Sequence, residues 1–245
     1  MVDVLLTHSY HLPYDSKQLR KMQPYPPLGT LYAASALRAR GISVAVFDPM
    51  LIEPAAQFAK ALEMHRPRIV AVYEDDFNFL SKMCLTRMRE VAAQIAQSAR
   101  SVGATTIVHG SDATDNPGLF LANGFLYVLS GESEETLAHL CGALLRSEDI
   151  GELDGLVRIG NHGTPVFSAR RLASNPGWHT LPAPSRDLVD PIRIGPPGPQ
   201  RTDISPPTWF PAAVVPFAAT GVPSLSLETN SICVTPRMWP ARCSL

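Results

Sequence analysis

The chain has few cysteines and little net charge of either sign. Its four cysteines occur at spacings that match no disulfide framework or metal-binding pattern: Cys84, Cys141, Cys233 and Cys243. Lysine plus arginine number 21 and aspartate plus glutamate 22, which gives a formal net charge of −1. No basic block is long enough to indicate a phosphate-backbone partner. We therefore expect no nucleic-acid partner, and a reducing, cytoplasmic location.

Long apolar runs and the common nucleotide motifs are missing as well. No run approaches the roughly 20 apolar residues of a membrane-spanning helix, and the N-terminus enters an apolar strand that contains Asp3. We therefore expect no membrane partner. The chain contains no G-x-G-x-x-G, Walker A loop or G-x-S-x-G elbow, so nicotinamide binding, nucleotide hydrolysis and acyl transfer lose support. Hydrophobic residues nevertheless make up 45% of the chain, enough to form a core.

Apolar strands alternate with helices through residues 1–147, which we predict to be one domain. The pattern predicts strands at 2–7, 43–48, 68–73, 105–108 and 125–129, and helices at 28–40, 54–65, 80–101, 119–123 and 135–145. Each crossover has to return over the sheet, so the alternation predicts a doubly wound α/β fold with a five-stranded, Rossmann-like parallel sheet. Ligands of such sheets bind at the carboxyl ends of the strands.

Two segments of different character follow this domain. Residues 148–190 are predicted to form a small hairpin, turned at 160–163, and a linker whose Leu181-Pro182-Ala183-Pro184 is extended and exposed. Residues 191–245 hold 11 of the 23 prolines and show no periodicity. We expect an irregular tail there.

Candidate ligand contacts lie at the predicted strand ends and at the start of the first long helix. Glycines at two neighbouring strand ends let a flat ligand lie against bare backbone, although turns also require glycine. The helix start offers backbone amides, with an ordinary helix start as the alternative. The predicted contacts are Tyr10, Pro27, Gly29, Glu74, Asp75, Asn78, Phe79, His109, Gly110, Ser111, Asp112, Gly131 and Glu132.

The acidic loop after the third strand is open to two interpretations. Glu74-Asp75-Asp76 could bind a metal or could be solvated acids, and no His/Asp/Glu constellation lies within sequence reach, so we predict no metal site. Phe77 and Phe79 around Asn78 indicate either an apolar wall with one polar group or the entry to the next helix. We assign Cys84 to packing. We predict no catalytic residue.

Several short motifs follow one another along the chain: Val4-Leu5-Leu6, Pro26-Pro27-Leu28-Gly29-Thr30-Leu31-Tyr32 with Leu37 and Gly41, Phe47-Asp48, Gly110, Gly131-Glu132-Ser133-Glu134, and residues 181–188. Their order resembles that of cobalamin-binding radical S-adenosylmethionine proteins, in which the last segment leads toward a radical domain. This resemblance covers about three quarters of the chain, from Asp3 to Asp190. It implies that cobalamin (vitamin B12) lies across the carboxyl edge of the sheet with its nucleotide tail entering the domain. No D-x-H-x-x-G motif occurs, so we expect no histidine ligand on cobalt.

A displaced reading frame extends the resemblance beyond the described motifs. Shifting the codons of residues 212–222 by one base permits R-G-C-P-F-R-C-N-W-C, which is similar to the motif whose three cysteines hold a four-iron four-sulfur cluster in those enzymes. The chain itself lacks this motif. We therefore expect the cobalamin-binding N-terminal domain of a truncated, frameshifted radical S-adenosylmethionine methyltransferase-like protein. S-adenosylmethionine and the cluster would belong to the intact parent only.

Two other classes of function stay open on the sequence. One is a stand-alone small-ligand-binding or regulatory α/β module. The other is an enzyme that uses Glu74, Asp75 and His109 as acid and base, which would require these side chains to converge. The sequence predicts neither a substrate nor an oligomeric state.

Overall fold

The computed structural model describes residues 1–21, 26–74, 85–160, 163–169 and 181–189. These residues belong to the first of two compact units, Met1–Gly195; the second, Pro196–Leu245, lies outside the described residues. The strands are β1 Val4–Thr7, β2 Val44–Phe47, β3 Ile69–Tyr73, β4 Thr105–His109, β5 Tyr127–Leu129, β6 Leu156–Ile159 and β7 Pro165–Phe167. The helices are α1 Ser16–Lys21, α2 Leu28–Ala39, α3 Pro54–His65, α4 Leu85–Ser101, α5 Ser111–Asp115, α6 Pro117–Ala122 and α7 Glu134–Arg146, with 3₁₀ turns at Leu12–Tyr14 and Arg186–Leu188.

All seven strands form one sheet in the order β2-β1-β3-β4-β5-β6-β7. The first five strands in this order are parallel, which confirms the predicted doubly wound α/β fold. Their 2-1-3-4-5 order is the flavodoxin-like one, in which the chain changes direction between β1 and β3. Ligands of such sheets bind at this switch point, outside the carboxyl ends of the strands.

The prediction of five strands is wrong, because the hairpin joins the same sheet. The predicted hairpin forms as β6 and β7, and β6 pairs antiparallel with β5, with Val157 opposite Val128. Local glycine-rich turn chemistry predicts the hairpin itself. Its pairing with β5 depends on a contact about 30 residues away, which a local pattern does not encode.

Helices cover both faces of the sheet and bury the central strands. One apolar cluster joins the sheet to α2 and α7; its strand residues are Val4, Leu6, Ile69, Ala71, Tyr73, Ile107, Leu129 and Leu156. The second joins the alternate strand residues to α3, α4, α5 and α6. This alternation follows from the period of two along each strand. No described helix has both the length and the apolar character needed to cross a membrane.

Two connections between strands contain helix. The connection after β1 includes the 3₁₀ turn Leu12–Tyr14 and helix α1. The connection after β4 passes through a single residue, Gly110, directly into the first turn of α5. Gly110 has a φ of +149°, a backbone conformation that lets the chain turn from strand to helix within one residue. Residues 80–84 of the predicted helix 80–101 lie outside the described residues.

The predicted linker lies along α2, and only part of it is exposed. Pro182 and Ala183 are exposed, but Leu181 packs against the cluster that joins the sheet to α2 and α7. The Ser35 hydroxyl donates to the Pro182 carbonyl at 3.3 Å, and the Ser185 amide donates to the Leu31 carbonyl at 3.1 Å. A packed apolar residue at one end and a hydrogen-bonded backbone amide at the other explain why this segment does not extend into solvent.

Candidate functional site

The carboxyl ends of β1 to β5 bring five chain segments to one edge of the sheet. The segments begin at His8, Asp48, Glu74, Gly110 and Ser130. The switch point between β1 and β3 lies inside this edge. We call it the carboxyl edge.

A histidine and an aspartate pair across the ends of β1 and β2. The Nε2 atom of His8 lies 3.0 Å from Oδ1 of Asp48, and the His8 side chain is buried. Burial raises the pKa of the Asp48 carboxyl, but hydrogen bonds from His8 and from the Met50 amide outweigh burial and hold that pKa below its ordinary value. The pair fixes the two loops against each other.

Glu74 connects the ends of β1, β3 and β4. Its Oε1 atom accepts a hydrogen bond from the Ser9 amide at 2.9 Å, and its own amide donates to the His109 carbonyl at 3.2 Å. Glu74 also packs on Gly110, where an added Cβ would lie 2.9 Å from the Glu74 Cβ. Its carboxylate therefore holds neighbouring backbone in place.

The His109 ring stacks on the Tyr73 ring at the ends of β4 and β3. The ring centroids are 3.9 Å apart and the planes differ by 13°. The Nε2 atom of His109 lies 2.7 Å from the Gly131 carbonyl oxygen, on the β5 exit. The His109 Nδ1 atom is buried and has no hydrogen-bond partner in the part of the chain that the structure describes.

Thr114 joins the two glycine turns of the carboxyl edge. Its hydroxyl donates to the Gly110 carbonyl at 2.9 Å and accepts from the Gly131 amide at 3.2 Å. The buried Ser133 hydroxyl donates to the Gly131 carbonyl at 2.9 Å. Gly131 has a φ of +73°, which favours glycine. The bare backbone at the two neighbouring strand ends is thus fixed by short side chains.

Asp112 is engaged in an ion pair. The Arg89 guanidinium of α4 donates to both carboxylate oxygens, with Nε 2.7 Å from Oδ2. This contact raises the pKa of Arg89, and the Asn116 side-chain amide donates to the same carboxylate at 2.9 Å. The Asp112 carboxylate therefore anchors the start of α5 to α4.

The predicted contacts divide into exposed, buried and undescribed residues. Ser111 and Glu132 are exposed at the carboxyl edge, and Pro27 and Gly29 lie at the start of α2 with Pro27 buried. The Tyr10 ring is buried in a small cluster with Leu12 and Met50, so it supports the loop after β1. Asp75, Asn78 and Phe79 lie outside the described residues.

Four residues of this edge were not among the predicted contacts: His8, Asp48, Tyr73 and Thr114. His8 directly follows the predicted strand 2–7 and Asp48 ends the predicted strand 43–48, so the rule that selected His109 and Gly131 also selects them. Tyr73 is the last residue of the predicted strand 68–73. Thr114 carried no distinguishing signal. Across the described residues, no group of three His, Cys, Asp or Glu side chains is arranged to hold a metal ion.

Solved structures with the same fold include two cobalamin-related radical enzymes. One is the radical S-adenosylmethionine methyltransferase TsrM from Kitasatospora setae, with cobalamin and a [4Fe-4S] cluster bound, at 20% identity and a TM-score of 0.54. It is matched over 70% of this chain and 29% of its own. The other is the cobalamin-dependent S-adenosylmethionine radical enzyme OxsB with aqua-cobalamin and S-adenosylmethionine bound, at 17% identity and a TM-score of 0.57, matched over 77% of this chain and 24% of its own. At these identities the likeness establishes the fold.

A family match covers four of the five chain segments that build the carboxyl edge. The chain matches no curated protein at a significant level. The family described as B12 binding domain matches residues 22–141, from the approach to α2 as far as α7, and so includes the ends of β2, β3, β4 and β5. Residues 22–141, just under half of the chain, are therefore similar to the B12-binding domain family.

Proposed function

We propose that this chain binds cobalamin across the carboxyl edge of its sheet. The observation that carries the proposal is the coincidence of the B12-binding family match with the edge where this sheet topology binds ligands. Gly110 and Gly131 keep side chains away from two neighbouring strand ends, which suits a large flat ligand.

The residues present fit the polar periphery of cobalamin. The cofactor carries primary carboxamides around its corrin ring and hydroxyl groups on its nucleotide, so it offers many N–H and O–H donors. His109 Nδ1 is a buried polar atom without a partner among the described residues, and buried polar atoms of native proteins are normally paired. Bound cobalamin supplies the cobalt and corrin chemistry; the protein's residues bind and orient it.

The contacts differ in their roles. We propose that Ser111 and Glu132 contact the ligand with side chains, and that Gly110 and Gly131 contact it with backbone. Asp112, Glu74 and Tyr10 support these contacts from within the protein. The carboxylates of Asp112 and Glu74 are hydrogen-bonded to other residues, and the Tyr10 ring is buried. Pro27 and Gly29 present the start of α2, and Asp75, Asn78 and Phe79 remain proposed contacts.

The direct test is binding of hydroxocobalamin by the purified chain. Equilibrium dialysis and the visible spectrum of the cofactor measure this binding. Gly131→Leu should weaken binding at least about tenfold, because it places a side chain at the carboxyl edge. Gly103→Leu is the matched control: Gly103 has a similar φ of +79° but precedes β4 at the opposite edge. A folded chain that leaves hydroxocobalamin unbound would overturn the proposal.

A larger protein is the proposed context of this domain. The chain spans less than a third of the length of TsrM and OxsB, and the displaced frame at residues 212–222 permits a cluster-binding motif. We propose that a longer form is a radical methyltransferase-like protein that also uses S-adenosylmethionine and an iron–sulfur cluster. Sequencing the codons for residues 189–223 tests this: a single-base difference that opens R-G-C-P-F-R-C-N-W-C supports it. An unchanged sequence contradicts it and favours a cobalamin-binding module without radical chemistry.

A further inference from the structure

The His109 ring has a fixed tautomer in its neutral form. Its Nε2 atom lies 2.7 Å from the Gly131 carbonyl oxygen, and a carbonyl can only accept a hydrogen bond. Nε2 therefore carries the hydrogen and donates it. Nδ1 is then the lone-pair nitrogen, an acceptor without a donor in the described part of the chain.

The position of this acceptor is set by three strand ends. His109 ends β4, its ring stacks on Tyr73 at the end of β3, and its Nε2 bonds the β5 exit. Tyr73 belongs to the cluster that joins the sheet to α2 and α7, so the stacked His109 ring lies on the same face. His109 is 3% exposed and Tyr73 is 1% exposed, which leaves the His109 ring little freedom to turn toward solvent.

A buried acceptor without a donor destabilises the ligand-free protein. The stacking on Tyr73 and the hydrogen bond to Gly131 prevent the His109 ring from rotating to bring Nδ1 to another donor. A ligand donor that reaches Nδ1 removes the penalty, so the site binds ligands with such a donor more tightly than analogues without it. This asymmetry makes one nitrogen a determinant of ligand choice.

From this we infer that His109 Nδ1 is a specificity-determining acceptor that receives an N–H or O–H hydrogen bond from the bound cofactor, a carboxamide or a ribose hydroxyl. The inference rests on the proposed binding of cobalamin. It names the atom that recognises the cofactor, whereas the family match identifies only the domain.

Two substitutions separate the two nitrogens of the ring. His109→Gln places an amide nitrogen near the position of Nε2, so it keeps the donor to Gly131 and loses the acceptor at Nδ1. His109→Asn places an amide oxygen near the position of Nδ1, so it keeps the acceptor and loses the donor. His139→Gln, on the exposed side of α7, is the control for a histidine-to-glutamine change.

The experiment measures the Kd of hydroxocobalamin for each purified variant by equilibrium dialysis, with thermal unfolding to verify folding. We expect His109→Gln to weaken binding by about tenfold or more, while His109→Asn and His139→Gln stay within about threefold of the unsubstituted chain. Cobinamide, which lacks the nucleotide, locates the donor. If the loss of affinity in His109→Gln disappears with cobinamide, the donor is on the nucleotide. If the loss persists, the donor is a corrin carboxamide.

The outcomes distinguish this inference from the function on which it rests. If the unsubstituted chain does not bind hydroxocobalamin, the proposed function fails. If it binds and His109→Gln binds equally well, cobalamin binding stands and the role of Nδ1 is overturned. Equal losses in His109→Gln and His109→Asn also overturn it, because they assign the effect to the ring as a whole.

Discussion

The Nε2 atom of His8 lies 3.0 Å from Oδ1 of Asp48, and the two residues are 40 positions apart in the chain. The contact joins the segment after β1 to the segment after β2, and the His11 ring nitrogen Nδ1 adds a second link, 2.9 Å from the Pro49 carbonyl. The loop at the switch point is therefore held from β2, on one side, and by Glu74 from β3, on the other.

Asp48→Asn should reduce stability in a pH-dependent way. The folded pKa of Asp48 is lower than the ordinary 3.8, so the ionised carboxylate stabilises the fold at higher pH, and this contribution is lost as pH falls below about 3.8. We expect a loss of about 1–3 kcal/mol in the free energy of unfolding at pH 7, from urea titrations. The difference between the two proteins should shrink toward pH 3, and a difference that persists there contradicts the assignment. The exposed Asp115→Asn is the control.

Gly110→Ala should destabilise the carboxyl edge through a steric contact. A Cβ at this position would lie 2.9 Å from the Glu74 Cβ and 3.0 Å from its Cγ, and the φ of +149° disfavours a side chain. We expect a loss of about 1–3 kcal/mol in the free energy of unfolding. Gly118→Ala, in α6 with no atom within 4 Å of the added Cβ, should be neutral or stabilising. Equal effects of the two substitutions would refute the steric explanation.

Cys141 should resist alkylation in the folded protein. Burial raises the pKa of the Cys141 thiol, which lies on the face of α7 that packs into the apolar cluster with the sheet and α2. The thiolate is the nucleophile, so both its scarcity and its inaccessibility slow the reaction. We expect iodoacetamide to modify Cys141 at least about 100-fold more slowly at pH 8 without urea than in urea, as measured by peptide mass spectrometry. Rapid modification without urea would show that the Cys141 face of α7 does not stay packed against the sheet.

Local chemistry made much of the fold predictable. Helix α3 was predicted at 54–65 and occurs at Pro54–His65, because proline suits the first helical turn and the Glu53 carboxylate caps the Ala55 and Ala56 amides. Strand positions followed from their apolar runs. The sequence did not predict that the hairpin joins the sheet. The pairing of β6 with β5 depends on contacts between residues that are far apart in the chain.

The site was predictable in location and less so in detail. Topology alone places Gly110 and Gly131 at one edge, because parallel strands share their carboxyl ends. The partners of the side chains are non-local: Arg89 binds Asp112, and Tyr73 stacks on His109. A sequence pattern specifies that a residue follows a strand, but the side chain that meets it there depends on the packing of separate elements.

Thr114→Val should loosen both glycine turns of the carboxyl edge with little change in side-chain shape. The substitution removes the hydroxyl that donates to the Gly110 carbonyl and accepts from the Gly131 amide. Two lost hydrogen bonds correspond to about 1–3 kcal/mol in the free energy of unfolding. Because these turns present the backbone proposed to meet cobalamin, hydroxocobalamin affinity should also fall, by about threefold or more. Thr86→Val, on the exposed side of α4, should alter neither quantity measurably. If Thr114→Val lost stability but kept full affinity, the two turns would not contact the ligand.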